Sequence, residues 1–406
     1  MSPVYVVPMP EIQLLRRLRF VTLAAAPLVL FGCGSEATAP PPPIGEVIGD
    51  PIPELTAAEQ AAASRGRPLF DAVFEVRDGL GPLFNGSSCA TCHIQPASGG
   101  TSDRIIRVAT RVLSDGTCDD LSILGGPVYQ ILRTSPLRQT VGGGMERIPA
   151  EATHRSERVT PDLFGLGLLD AIPEATILAL ADPSDSDGDG ISGRPNRTAD
   201  GRLGRFGRKA SVPTLAEFTA AAFLTEIGAT SPAHPEDIGI MGQPLPPGTD
   251  PAPDPELTEL QVARVDTFVR FLAPPFRAPG SAAATRGERV FSDVGCDGCH
   301  VPTLRTGGSP IAALAHRDVA AYTDLLLHDM GPALSDVCDG LASPTEFRTE
   351  PLMGLRLNQL FLHDGRATSI AQAVDLHGGE AAASRAAYRG LSQADRNALL
   401  EFLGTL

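Results

Sequence analysis

The chain has 406 residues, enough for two domains that each bury their own core. Apolar residues make up 42% of it and charged residues 20%, which is typical of a globular protein. The formal net charge is −15, so the chain lacks the basic surface that nucleic-acid phosphates require, and a nucleic-acid ligand is excluded.

The N-terminal segment has the pattern of an export signal. A cluster of arginines precedes the apolar run "FVTLAAAPLVLF", which is too short to span a bilayer and right for a signal peptide. The run ends in "LFGC", which resembles the lipobox of bacterial lipoproteins and would make Cys33 a lipid anchor; an ordinary cleaved signal is the alternative. Residues 1–33 are predicted to be a lipoprotein signal peptide and the Pro-rich residues 34–54 a disordered tether. The expected location is the periplasmic side of the bacterial cell envelope.

Three segments have helical periodicity. The stretch "LTAAEQAAASRGRPLFDAV" places Glu59 three residues after Thr56, which is a capping-box pattern. Apolar residues recur at three- and four-residue spacing in "LTELQVARVDTFVRFLA" and "LSQADRNALLEFLGTL". Proline and glycine are frequent and strand signals are few, so the predicted class is mainly α with long irregular loops.

The motif Cys-x-x-Cys-His occurs twice in the chain. In one helical turn the two thiols and the imidazole share a face, so all three can meet one ligand. This is the c-type haem attachment signature, in which the thiols bind the haem vinyl groups and the histidine binds the iron. The predicted haem-binding residues are Cys89, Cys92, His93, Cys296, Cys299 and His300.

Two other chemistries use paired cysteines. A zinc site built from both Cys-x-x-Cys pairs would not need a histidine after either pair, and with 8 histidines in the chain their double occurrence by chance is about one in 2,500. A thioredoxin-like redox pair requires a βαβ setting, which neither stretch has. Two covalent c-type haems are therefore the preferred interpretation.

The segments around the two motifs are similar to each other. "AAASRGRPLF" before the first motif matches "AAATRGERVF" before the second, and "TPDLFGLGLL" resembles "TEPLMGLRLN" downstream. Two copies of a helix-rich unit explain this pattern better than a solenoid of short repeats. The predicted architecture is two c-type cytochrome-like haem domains. Residues 55–255 form the first, with insertions and an Asp-rich loop, and residues 256–406 form the second.

The Asp-rich loop "DSDGDGIS" has the opening pattern of a calcium loop. Asp185, Asp187 and Asp189 alternate and are followed by Gly190. The twelfth position is Asn196 instead of the usual bidentate glutamate. Calcium binding is predicted, because three carboxylates at this spacing repel one another without a cation; an acidic solvated turn is the alternative.

Cys118 and Cys338 are the two cysteines outside the lipobox and the haem motifs. In an oxidising compartment they could form a disulfide that joins the two halves of the chain. Two buried free thiols that never meet are the alternative, because the sequence contains no distance between them.

The chain resembles the bacterial dihaem oxidoreductase family, whose relatives include dihaem cytochrome c peroxidases and the dihaem enzyme that matures methylamine dehydrogenase. The resemblance rests on "GLGPLFNGSSCATCH", "TPDLFGLGLLDAIPEATI", "DSDGDGISGRPNR", "LLLHDMGPALSD", "FRTEPLMGLRLNQLFLHDGRATSIAQAVDLHGGEA" and "LLEFLGTL". It implies that His93 and His300 are proximal iron ligands and that His377 is the distal ligand of the second iron. The chain has no tryptophan, although the peroxidase relatives place one between their haems.

The resemblance implies an enzyme in which the first haem binds a small oxidant such as hydrogen peroxide and the second passes electrons. Met145 and His154 are weak candidates for a distal ligand of the first haem, and Glu174 is a candidate for the carboxylate that moves protons. An external redox protein or the quinone pool would be the electron donor or acceptor. The competing interpretations are a purely electron-transferring dihaem cytochrome and a related haem oxygenase or maturation oxidase.

Overall fold

The computed structural model describes residues 47–406, so the predicted signal peptide, the lipobox cysteine Cys33 and most of the predicted tether lie outside the described residues. The end of the tether is an exception. Ile52 is buried, and its N–H donates to the carbonyl oxygen of Phe271 at 2.7 Å. The prediction of disorder is therefore wrong for residues 47–54, because Ile52 finds an apolar partner. Within the described residues, no helix is both long enough and apolar enough to cross a bilayer.

Helices form the two cores of the molecule. In chain order they are α1 (Ala57–Asp71), α2 (Ser135–Val141), α3 (Leu166–Asp170), α4 (Glu174–Leu178), α5 (Leu215–Ala222), α6 (Glu259–Phe271), α7 (Ala282–Asp293), α8 (Ile370–Leu376), α9 (Ala382–Gly390) and α10 (Gln393–Leu403). The predicted capping box is present at α1, where Thr56 and Glu59 exchange hydrogen bonds. The three helices predicted from periodicity correspond to α1, α6 and α10.

The first core is built on the pair α1 and α6. Their contact is close because Gly66 faces the backbone of α6: a Cβ at this position would lie 2.0 Å from the carbonyl oxygen of Arg264. Phe70 of α1 packs on Phe268 of α6 with ring centroids 5.0 Å apart. A side chain larger than hydrogen at Gly66 would push the two helices apart.

The second core repeats this arrangement with α7 and α10. Gly287, which matches Gly66 in the sequence repeat, would place a Cβ 1.9 Å from the carbonyl oxygen of Ala398. Phe291, which matches Phe70, lies 5.5 Å from the ring of Phe402. The sequence repeat therefore encodes the crossing point of each helix pair.

These helix pairs correct the predicted domain boundary. Helix α6 begins after residue 255, yet it packs along α1, so a division at 255 would separate two helices of one core. The described residues, 47–406, belong to one compact unit.

Short antiparallel strands connect the helices. They are β1 (Leu83–Phe84), β2 (Ser102–Val112), β3 (Cys118–Asp119), β4 (Leu132–Arg133), β5 (His154–Thr160), β6 (Leu304–Arg305), β7 (Asp318–Val319), β8 (Leu327–Asp329) and β9 (Glu346–Arg348). Strand β2 is the centre of a three-stranded sheet with the order β3-β2-β5. The mainly α class is thus confirmed only in part, because β2 alone spans 11 residues.

A disulfide joins Cys118 of β3 to Cys338, with the two Cα atoms 5.7 Å apart. The sequence left open whether these two cysteines form a disulfide or stay free thiols, and the structure shows the disulfide. It connects the sheet in the first half of the chain to a loop in the second half.

Candidate functional site

The first Cys-x-x-Cys-His stretch forms a single helical turn. The N–H groups of Cys92 and His93 both donate to the carbonyl oxygen of Cys89, at 3.2 and 2.9 Å. The turn lies next to α1, whose Phe70 ring is 6.3 Å from the His93 ring. The predicted sharing of one face by the two thiols and the imidazole is therefore present locally.

His93 is oriented by the backbone. Its Nδ1 lies 3.0 Å from the carbonyl oxygen of Gly100, so this nitrogen carries the proton and Nε2 keeps its lone pair. Burial lowers the pKa of His93 to about 4, although backbone hydrogen bonds oppose this shift. A neutral imidazole with one nitrogen bound to a carbonyl is the form that ligates a metal.

The turn opens onto a cavity of about 360 Å³, within the size range of cofactor sites. Both thiols and the imidazole of this turn line the cavity, and the rest of its wall is mostly apolar. Lining side chains include Phe70, Val108, Phe164, Phe206, Phe223 and Val265. Two thiols and a neutral imidazole on an apolar wall fit a haem, whose macrocycle needs burial and whose iron needs a nitrogen ligand.

The second Cys-x-x-Cys-His stretch repeats this geometry. The N–H groups of Cys299 and His300 donate to the carbonyl oxygen of Cys296. His300 Nδ1 lies 2.9 Å from the carbonyl oxygen of Tyr322, and burial lowers the pKa of His300 to about 4. The second turn therefore presents a neutral imidazole in the same way as the first.

His377 has the same hydrogen-bonding pattern as His300. It follows α8, and its Nδ1 is 2.7 Å from the carbonyl oxygen of Ala373, which leaves Nε2 with a lone pair. Burial lowers the pKa of His377, and the charge of His377 is one of the smaller causes that lower the pKa of His300. The two imidazoles are thus within electrostatic reach and share the same protonation pattern.

Other candidates from the sequence do not reach the first cavity. Met145 is 59% exposed, and Nδ1 of His154, the first residue of β5, is bound to the hydroxyl of Thr153. Glu174 is half-exposed and pairs with Arg197 at 3.4 Å. None of the three lines the cavity.

The cavity contains carboxylates that the sequence reasoning missed. Asp162 and Glu226 line it, and burial raises the pKa of both, that of Asp162 to about 7 with the charge of Glu350 as a further cause. Glu350 also lines the cavity and pairs with Arg208 and Arg348 at 3.2 and 2.7 Å. Asp162 and Glu350 belong to the two copies of the "TPDLFGLGLL" repeat. This repeat is the sequence signal that could have pointed to both carboxylates.

The Asp-rich loop is placed at the second haem turn, not in the first unit as predicted. Ile191 lies against Gly298, where a Cβ would be 2.6 Å from the Ile191 side chain. The carboxylates of Asp185, Asp187 and Asp189 converge within 4.8 Å of one another. Asn196, the twelfth position, is turned away and donates to the carbonyl oxygen of Lys209 at 2.8 Å. Calcium binding at this loop stays a prediction.

Two helix pairs, each next to a Cys-x-x-Cys-His turn, agree with a dihaem protein. The chain belongs to the family described as "Di-haem oxidoreductase, putative peroxidase", whose model matches residues 138–406. The match begins after the first motif and includes the second. It supports two haem cofactors and an oxidoreductase of the peroxidase type. No curated protein matches the sequence.

Several solved structures are similar over most of their length. Hydrazine synthase of Kuenenia stuttgartiensis is 16% identical, with 94% of this chain and 100% of that chain covered and a TM-score of 0.40. A MauG-like protein associated with microbial copper homeostasis is 16% identical. The match covers 88% of this chain and 92% of that chain, with a TM-score of 0.39. The diheme peroxidase BthA of Burkholderia thailandensis E264 is 18% identical. The match covers 85% of this chain and 86% of that chain, with a TM-score of 0.42.

Proposed function

We propose that the protein is an exported dihaem c-type oxidoreductase that reduces a peroxide with electrons from an external donor. The observation that carries the proposal is the pair of Cys-x-x-Cys-His turns, each with its imidazole Nδ1 bound to a backbone carbonyl. The family match supports two haems and an oxidoreductase of the peroxidase type. Covalent attachment through the thiols and the division of roles between the two sites are parts of the proposal.

At the first site, Cys89 and Cys92 would hold the haem covalently and His93 would ligate the iron. Among the residues lining this cavity, all within 47–406, His93 is the one histidine and Met353 the one methionine. The Met353 sulfur packs against Gly165, where a Cβ would lie 3.1 Å from it. The lining therefore favours a single protein ligand and an open position where a small oxidant can bind.

At the second site, Cys296 and Cys299 would hold the haem, and His300 and His377 would ligate the iron. Ligation by two imidazoles gives a low-potential centre suited to electron transfer. Such a site leaves no position for substrate. Together the two haems supply the redox chemistry that the side chains lack.

Reduction of hydrogen peroxide to two water molecules consumes two electrons and two protons. The electrons would come from a small redox protein or the quinone pool. A cavity carboxylate with a pKa near neutral pH can deliver the protons, and Asp162 has this property in direct contact with the cavity. We therefore assign proton transfer to Asp162 instead of Glu174.

Asp162→Asn is expected to lower kcat/KM for hydrogen peroxide about 10²-fold, because the amide cannot exchange the proton. The pH profile should also lose the limb near pH 7 that corresponds to the raised pKa of Asp162. The measurement is steady-state turnover with a reduced small cytochrome. Glu174→Gln is the matched control and should keep the activity and the profile of the parent; equal losses in both variants would contradict the assignment.

Mass and spin state test the proposal as a whole. The mature polypeptide should carry the added mass of two haems, and Cys89→Ser/Cys92→Ser should lose one of them. Electron paramagnetic resonance of the ferric protein should show one high-spin and one low-spin haem. Two low-spin haems in all redox states would establish an electron-transfer cytochrome and eliminate peroxide reduction at an open iron.

The location is part of the same proposal. The lipobox-like "LFGC" and the apolar run before it support export and anchoring of the mature chain through Cys33. Attachment of haem c takes place outside the bacterial cytoplasm, which agrees with export. Metabolic labelling with a fatty acid, and its loss in Cys33→Ala, tests the anchor.

A further inference from the structure

The segment after His377 is closely packed against its surroundings. The chain leaves α8 and turns at Gly378 and Gly379, and Gly379 adopts a left-handed φ of +53°. A Cβ at Gly379 would lie 1.9 Å from the carbonyl oxygen of Asp329, so the turn is in contact with the end of β8. His377 therefore enters its site from a turn that is pressed against another strand.

Glu380 fastens this turn to two other segments. Its carboxylate accepts from the N–H and the hydroxyl of Ser192, at 3.0 and 2.6 Å, and from the N–H of Asp329 at 3.1 Å. A fourth hydrogen bond comes from His328 Nδ1 at 2.7 Å. Ser192 ends the Asp-rich loop, so one carboxylate joins this loop, β8 and the turn after His377.

His328 completes the arrangement beside the second haem turn. Its ring is 3% exposed, and its Nε2 donates to Asp324 at 2.7 Å while Nδ1 donates to Glu380. Cys299 Sγ lies 3.5 Å from Nδ1. Because both ring nitrogens donate to carboxylates, His328 keeps no lone pair for a metal. Burial alone would lower the pKa of His328, but its hydrogen bonds raise the pKa to about 12, so the ring stays protonated.

We propose that Glu380 is a positioning residue that holds His377 in place as an iron ligand, and that the Asp324–His328–Glu380 cluster keeps His328 from binding the iron. This inference rests on the proposed ligation of the second haem by His300 and His377. Two histidines lie close to the second turn. The hydrogen bonds decide which of them is available: His377 binds one backbone carbonyl and keeps Nε2 free, whereas His328 is used at both nitrogens.

The test is the spin state of the second haem in the haem-loaded full chain. In Glu380→Ala the turn loses four hydrogen bonds, so His377 should dissociate and a second high-spin ferric signal should appear at or below room temperature. Glu380→Gln keeps an acceptor oxygen for Ser192 and Asp329. The temperature at which its second haem converts from low spin to high spin should lie between the temperatures for the parent and for Glu380→Ala.

Glu288→Ala is the matched control. Glu288 is another carboxylate near the second core. It accepts a hydrogen bond from the Tyr322 hydroxyl at 3.2 Å and pairs with Arg277, away from the turn after His377. This variant should convert at the temperature of the parent. If Glu380→Ala does not fold, Glu380→Gln decides the question: an unchanged conversion temperature overturns the inference.

His377→Ala separates this inference from the proposed function. Loss of the low-spin signal in His377→Ala with no effect of either Glu380 variant would overturn only the positioning role. An unchanged low-spin signal in His377→Ala would overturn the ligation itself, and the positioning role would fall with it.

Discussion

A Cys118→Ala/Cys338→Ala variant is expected to lose about 5 kcal/mol of unfolding free energy. The bond joins residues 220 positions apart, and the loss of chain entropy in the unfolded state increases with the length of the loop that is closed. Alanine is the replacement of choice because Cys338 is only 2% exposed, and a serine there would add a buried hydroxyl. Guanidinium unfolding of the haem-loaded protein measures the loss.

The expected effect also extends to the first cavity. Cys338 lines this cavity, and its N–H donates to the hydroxyl of Thr110 on β2 at 3.1 Å. The disulfide therefore fixes one wall of the cavity to the sheet. The parent protein under a thiol reductant should approach the midpoint of the double variant. Equal midpoints of the oxidised parent and the variant would contradict the stabilising role of the bond.

Local sequence rules predicted α1, α6 and α10 and the two Cys-x-x-Cys-His turns because their determinants lie within a few residues. The Thr56–Glu59 capping box fixes the start of α1, and five consecutive residues define each haem turn. The repeat also carried three-dimensional information. Gly66 and Gly287 are the points where a second helix approaches most closely, although the identity of that helix is not encoded nearby.

The long-range arrangement could not be read from the sequence. Helix α6 follows α1 by nearly 200 residues, and only packing in space shows that the two form one core. The Asp-rich loop precedes the second haem turn by more than 100 residues, but Ile191 and Ser192 contact that second site. Strand β2 was missed because its sequence, "SDRIIRVATRV", lacks the strict alternation of apolar and polar residues.

In the candidate site, too, local features could be predicted from the sequence and long-range placement could not. His93, His300 and His377 follow from motif and resemblance, and the structure gives each the hydrogen-bonding pattern of a ligand. The choice of Glu174 followed its place in the first repeat, yet Asp162, twelve residues earlier, is one of the carboxylates that line the cavity. Whether a carboxylate faces a cavity or solvent depends on the packing of the whole unit.

His328→Gln is expected to lower the unfolding free energy by about 3–5 kcal/mol near pH 6, the usual result of removing one partner from a buried ion pair. The variant leaves Asp324 and Glu380 buried without the protonated ring between them, and Asp324 is itself 2% exposed. The carboxylates must then be protonated or hydrated, and either change costs free energy. Thermal or denaturant unfolding at several pH values measures the effect.

The pH dependence has a defined sign. The pKa of His328 is raised from 6.5 to about 12 in the folded state, despite the opposing effect of burial, so its contribution is complete below pH 6.5 and is lost as the pH rises toward 12. Burial acts to raise the pKa of Glu380, but hydrogen bonds, those of His328 and Ser192 first, lower it from 4.5 to about 2. The contribution of Glu380 to the unfolding free energy is therefore present above pH 4.5 and is lost as the pH falls toward 2. The difference between parent and variant should therefore be largest between pH 4.5 and 6.5 and should shrink as the pH rises.

An exposed histidine provides the comparison. His316 has a left-handed φ of +53°, so asparagine, which tolerates this conformation, is the suitable replacement. His316→Asn should change the unfolding free energy by no more than about 0.5 kcal/mol, as expected of a surface substitution. A His328→Gln effect of similar size, or one that increases with pH, would mean that the protonated ring between Asp324 and Glu380 does not stabilise the second site.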